Sequence, residues 1–175
     1  MATQKFQLLL VDANIIIKLH ELEIWEEFIK RCKVTVTETV AYDEAHFWID
    51  QNEVRHDFDL SQEIENKKIS CESVPLDQAE DFQRNFDSTY AIHAGEAEPL
   101  ALLFASEENW LICSSDGIVF RVLGRTGRAD QGISLEELLC QIGLGGKLER
   151  WYTKEFRQQF TLKGQENSIR GRGMN

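Results

Sequence analysis

The sequence predicts an α/β fold with a central, mostly parallel sheet flanked by helices on both faces. Three observations carry this. Segments with strand character alternate along the chain with amphipathic helical segments. Two of the strand-like segments are apolar runs that break off at an aspartate, as buried parallel strands do where they emerge from a sheet. The 175 residues hold only two prolines, Pro75 and Pro99, and no Gly/Ser-rich linker or internal repeat divides them.

The first strand is Phe6 to Val11, running directly into Asp12. Leu19, Leu22, Trp25, Phe28 and Ile29 then fall at helical spacing and give one helix or two short ones. The alternating, β-branched KVTVTE is a second strand. The stretch from Glu38 to Gln51 reads as a helix, with Val40, Glu44, Phe47 and Trp48 near one face. After it the chain is polar, with helical character around Leu60 to Lys68, and Ile69 to Val74 is a strand or an extended link. Pro75 to Tyr90 forms a helix through Phe82 and Phe86 at i, i+4. Another helix enters at Gly95, with acids in its first turn and Pro99 early enough to be tolerated. Asn109 to Cys113 is a third buried strand, passing through Ser114 and Ser115 into Asp116. A short helix follows and closes at Gly124. Ser134 and Glu137 form a capping box for the next helix, and residues 147–163 make a last amphipathic one with Trp151, Tyr152, Phe156 and Phe160.

Charge narrows the function. A net charge of -11 excludes a protein that coats nucleic acid. The charge is unevenly spread, however. Residues 1–116 carry 9 Lys/Arg against 24 Asp/Glu, whereas residues 117–175 carry 10 against 6, which suggests an anion-facing C-terminal flank. Cys32, Cys71, Cys113 and Cys140 are widely separated, as are the four histidines, so no zinc or redox spacing is present. No signal peptide is visible, and no run approaches the roughly 18 apolar residues of a membrane span. A cytoplasmic protein with no membrane partner is the expectation.

In open parallel sheets, ligands bind beyond the carboxyl ends of the strands. If the first and third strands are neighbours, Asp12 and Asp116 project into one crevice. Glu44, among apolar residues, and Glu96, at a helix start, are positioned to join them. Four converging carboxylates repel one another and raise one another's pKa. A divalent cation relieves that cost, and an all-oxygen site suits Mg²⁺ or Mn²⁺ better than zinc. Such a site serves phosphoryl chemistry. Singly, each acid also has an ordinary role: Asp12 and Asp116 as helix caps, Glu96 as a helix-dipole residue, Glu44 as surface.

At these residues the chain resembles the PIN-domain family. The similar stretches are LLLVDAN, TETVAYDEA, AGEAEPLALLFA and WLICSSDGIVFRVL, in that order, and the third is similar to the GEAEAI helix of a toxin-like branch. The resemblance covers roughly residues 6–145 and implies a Rossmann-like PIN fold; with the amphipathic helix at 147–163 the chain reads as one PIN-like domain over 1–163, and the polar residues 164–175 as a mobile tail. It implies an Mg²⁺/Mn²⁺ ribonuclease site in which Asp12, Glu44, Glu96 and Asp116 match the acids. Ser114 matches the small hydroxyl residue, and Asn14 the polar residue after the first acid. Glu98 competes with Glu96, and Asp43 with Glu44.

The leading expectation is an endoribonuclease with metal on Asp12, Glu96 and Asp116, Glu44 completing the site, and Asn14, Arg121, Arg125 and Arg128 meeting the RNA. Alternatively those arginines form a solvated face. The activity could be that of a toxin held by an antitoxin. The competing expectation is a catalytically weak PIN-like module that holds another protein, or a second copy of itself, through its aromatic C-terminal helix. An aspartyl phosphatase fits less well, because position 14 is Asn where a second Asp is wanted.

Overall fold

The structure is a computed structural model that describes residues 6–10, 12–44 and 46–175. Val11 and Ala45 lie outside the described residues. Five strands form one sheet: β1 (Phe6–Leu10), β2 (Cys32–Thr37), β5 (Ser70–Glu72), β6 (Leu111–Cys113) and β7 (Gly132–Ile133). Their spatial order is β5-β2-β1-β6-β7, and every pairing is parallel. The α/β class and parallel sheet expected from the sequence are what the chain adopts. The chain builds leftward from β1 and then rightward, so the order reverses between β1 and β6. That reversal opens a crevice at the carboxyl ends of those two strands.

Helices cover both faces. On one, α1 (Ala13–Glu21), α2 (Trp25–Arg31) and α7 (Leu135–Gln141) bury Ile15, Ile16, Leu19, Phe28 and Leu138 against Leu8, Val34, Val36 and Cys113. On the other, α4 (Leu76–Arg84), α5 (Ala94–Ala105) and α6 (Gly117–Arg125) bury Phe82, Leu100, Leu103, Phe120 and Leu123 with Ile112. The period-2 alternation of each strand sends neighbouring residues to opposite cores. The last helix, α8 (Lys154–Ile169), packs on α6 and is tied to α7 by a bidentate ion pair from Arg157 to Glu137, with N–O distances of 2.7 and 2.8 Å.

Two expectations are corrected. Residues 38–51 are not one helix. A short π-helical turn spans Thr39–Asp43, Glu44 is extended, and β3 (Phe47–Ile49) pairs with β4 (Arg55–Asp57) as an antiparallel hairpin beside α1. Asp50 makes the turn, its Oδ1 accepting from the N–H groups of Asn52 and Val54. That local bonding and the β-favouring Phe-Trp-Ile run defeat the helical period. The hairpin docks through stacked rings, with His20 and Phe58 centroids 3.8 Å apart and Phe58 and His46 5.1 Å apart.

The helical character expected around Leu60 to Lys68 is a short helix, α3 (Ser61–Glu65). Finally, residues 164–175 are not a loose tail. α8 continues to Ile169, and the chain then returns to α4, where the Asn175 amide donates to the carbonyls of Arg84 and Phe86. Among the described residues no helix is long and apolar enough to cross a membrane.

Candidate active site

The crevice between β1 and β6 receives carboxylates from four separate segments. Asp12 follows β1 and caps α1, its Oδ1 accepting from the Ile15 N–H at 3.1 Å. Its Oδ2 accepts from the Ser114 hydroxyl at 2.8 Å, the Ser115 N–H at 3.1 Å and the Ser115 hydroxyl at 3.2 Å. Asp12 is only 8% exposed, and burial raises its pKa against the lowering effect of these bonds. Ser114 is fully buried and links the two aspartates: its hydroxyl donates to Asp12 and accepts from the Asp116 N–H at 2.9 Å. Asp116 caps α6 through the Ile118 N–H, at 2.9 Å.

The glutamates enter from the side of α5. Glu44 leaves the π-helical turn with extended backbone, and its Oε2 accepts from the Ala13 N–H at 3.2 Å. Its Oε1 lies over Gly95, 2.8 Å from where a Cβ would stand, so the absent side chain makes the carboxylate's berth. Glu96, in the first turn of α5, accepts from the His93 N–H at 2.9 Å. Burial first, and then the charges of Asp12 and Glu96, raise the pKa of Glu44. Burial first, and then the charge of Asp116, raise that of Glu96. The four acids therefore form one electrostatic group that runs Asp12, Glu44, Glu96, Asp116.

The two alternative registers part company here. Glu98 turns away and accepts from the Thr39 hydroxyl at 2.7 Å, while Asp43 is solvent-exposed. Asn14 is exposed in the first turn of α1. The three arginines expected at the substrate have partners within the chain. Arg121 donates to Asn167 and to the Thr89 carbonyl and lies over the Tyr90 ring. Arg125 donates to the Arg172 carbonyl and the Ser168 hydroxyl. Arg128 bonds Gln131 and covers Phe104. In this structure they pin down the C-terminal helix and the loop after α6.

Sequence reasoning missed three participants. Ser115 adds two of the four bonds to Asp12, and its place in Ser-Ser-Asp was the available signal. Gly95 was read as a helix entry, not as space for Glu44. Tyr152 arrives from 138 positions away, its hydroxyl donating to the Asn14 carbonyl at 3.4 Å. Burial, and less strongly the charge of Asp12, push that hydroxyl up to about 12 while the neighbouring Trp151 works the other way, so it stays a donor at neutral pH.

Each carboxylate is held by N–H groups of a helix start, where the backbone dipole offsets negative charge. Among the described residues no three His, Cys, Asp or Glu side chains already stand close enough to hold one metal ion. No protein-family model, no curated protein and no solved structure matches this chain. The likeness to PIN domains thus rests on the four sequence stretches alone.

The crowding has a measurable consequence. The folded state holds the Glu44 proton to a higher pH than the unfolded chain does, so the ionised group opposes folding at neutral pH. Glu44→Gln keeps an oxygen for the Ala13 N–H and removes one charge. Its thermal midpoint should exceed the wild type's at pH 7, and the gap should close as the pH falls below about 4.5, the ordinary value for glutamate. A midpoint lower at pH 7 than at pH 4, relative to wild type, would contradict the like-charge account.

Proposed function

We propose that the protein is a metal-dependent ribonuclease of the PIN type, working in the crevice between β1 and β6. The observation that carries this is the meeting of four carboxylates from four segments at the point where the strand order reverses, with no Lys or Arg among the described residues ion-paired to any of them. Proteins tolerate such crowding where function requires it. The donor set is all oxygen, and burial, joined by like charge at Glu44 and Glu96, raises the pKa of Asp12, Glu44 and Glu96, which fits Mg²⁺ or Mn²⁺.

Asp12, Glu96 and Asp116 would hold the ion. When bound, it supplies Lewis-acid polarisation of a phosphodiester and an acidified water. The chain's own residues do the rest. Ser114 and Ser115 fix the Asp12 carboxylate through three bonds, and Ser114 couples it to the backbone of Asp116. Glu44 adds negative charge beside Asp12. The amino ends of α1, α5 and α6 converge here and favour an anionic phosphate.

A second reading has its own support. The Asp12 carboxylate already accepts four hydrogen bonds, and no three described acids are preset for chelation. Both features suit a catalytically weak PIN-like module that binds a protein partner. A ribonuclease toxin restrained by an antitoxin unites the two readings.

Labelled single-stranded RNA with Mn²⁺ separates them. Wild type should cleave it only with the metal, and Asp12→Asn/Asp116→Asn should not. Equal cleavage by both proteins sinks the site. No cleavage by either, with no Mn²⁺ binding by calorimetry, selects the binding module.

A further inference from the structure

We infer that the segment Lys147 to Lys154 is the grip for a single-stranded nucleic acid, with Trp151 as its stacking platform. The inference rests on the ribonuclease reading for its substrate, but its location comes from the fold. After α7 the chain crosses to the start of α1, and a single 3-10 turn, Arg150–Tyr152, settles beside the carboxylates. Tyr152 is the anchor: it is buried, its hydroxyl meets Asn14, and the charge of Asp12 reaches it. Lys18 and Glu149 fasten the same turn by an ion pair at 2.8 Å, with the Lys18 side chain 7% exposed.

What this anchored turn presents outward is basic and aromatic. Trp151 is 49% exposed, its ring centroid 6.0 Å from that of Tyr152. Trp25 and Trp110 are buried and Trp48 is half-buried against the His56 ring, so Trp151 alone among the four offers a free indole face. Lys147, Arg150 and Lys154, all within four positions of it in sequence, are exposed. Arg150 donates only to the neutral Gln159, and among the described residues none of the three side chains enters an ion pair. The acids nearby are Glu149, which shares Lys18 with Glu21, Glu136, which accepts from the Lys154 N–H, and the exposed Glu155, so the three unpaired cations face carboxylates that are themselves partly engaged.

An exposed indole among unpaired cations is how proteins hold single strands: a base stacks while cations track the phosphates. This resolves the problem posed by the net charge. The anionic substrate is held by one local basic strip at the edge of an acidic site, while the arginines after Asp116 serve the fold. A duplex, whose bases are already stacked, gains nothing from Trp151.

Fluorescence anisotropy of a labelled ten-nucleotide oligouridylate, with EDTA present so that no cleavage occurs, tests the grip on the full chain. Trp151→Ala should weaken binding about tenfold, and Trp151→Phe should restore most of it. Lys147→Ala/Arg150→Ala/Lys154→Ala should reduce the salt dependence of log K by about 2, given a slope of roughly 0.7 per cation on single strands. Arg170→Ala/Arg172→Ala, which removes equivalent exposed charge elsewhere, should change affinity less than twofold. Undetectable binding by wild type overturns the proposal, as does equal affinity in Trp151→Ala or preference for a duplex of the same length. The two readings fail separately. Wild type that binds through Trp151 yet never cleaves with Mn²⁺ refutes the nuclease alone. Wild type that cleaves, with binding indifferent to these variants, refutes the grip alone.

Discussion

Asp12→Asn alone is expected to lower Mn²⁺-dependent cleavage at least about a hundredfold while leaving the protein folded. The loss follows from charge. The carboxylate is one of three proposed to hold the ion, and an amide is a poor ligand for a hard cation. A hundredfold corresponds to about 2.7 kcal/mol of transition-state stabilisation, well within what a metal supplies. Folding survives because two effects oppose each other. The amide nitrogen must face either the Ile15 N–H or the Ser115 N–H, each of which now donates to a carboxylate oxygen. One buried donor is left unsatisfied, at a cost of roughly 1–3 kcal/mol. Against this, the substitution removes a buried charge whose ionisation is already disfavoured. Circular dichroism and a denaturant midpoint should stay close to wild type, while the calorimetric Mn²⁺ signal disappears. Retained Mn²⁺ binding with lost cleavage would move Asp12 from ligand to positioning residue. Retained cleavage would remove it from the site.

The legible parts of the site were those written locally. Asp12 and Asp116 each end an apolar run, and both the abrupt stop and the sheet rule act within a few residues. Glu96 was legible through the Gly-Glu start of its helix. Glu44 was found for the wrong reason: it was placed mid-helix by the spacing of Val40, Phe47 and Trp48, but it stands after a π-helical turn and ahead of a hairpin. The carboxylate still reaches the site because the chain leaves β2 at the same sheet edge. The arginines were read from their sequence neighbour Asp116, whereas Arg121 and Arg125 reach Asn167, Ser168 and Arg172, 43 to 47 positions on, and Arg128 meets Gln131 and Phe104. A helix of 9 residues turns its side chains through every direction, so proximity to Asp116 in sequence carries no side-chain direction. Tyr152 had no local signal, since its role depends on the path of the chain after α7.

Gly164→Val should unfold the C-terminal half of the molecule's support, with a stability loss of about 3 kcal/mol or more. α6 and α8 cross at backbone contact. A Cβ on Gly164 would land on the Arg121 carbonyl and crowd the Arg125 N–H, and one on Gly124 would land on the Thr161 carbonyl. Backbone cannot rotate aside as a side chain would, so relief requires the helices to part. Parting them exposes Phe156 and Phe160, breaks the Arg157–Glu137 pair and frees the ring that fills the space over Gly117. Overpacking a core costs about 1–3 kcal/mol even where side chains can yield. The sign separates this account from helix propensity. In an exposed helix, replacing Gly by Ala gains up to about 1 kcal/mol. Gly164→Ala should nevertheless destabilise, while Gly146→Ala, whose Cβ meets nothing, should be neutral. A denaturant midpoint for the three variants decides the matter, and a stabilised Gly164→Ala would show that the crossing is loose. The crossing also bears on the site. α6 begins at Asp116, and α8 begins at the end of the Trp151 strip, so one helix pair sets the distance between the carboxylates and the proposed grip. Even a Gly164→Ala protein that stays folded should lose oligonucleotide affinity along with stability, because its strip no longer sits at a fixed distance from Asp116.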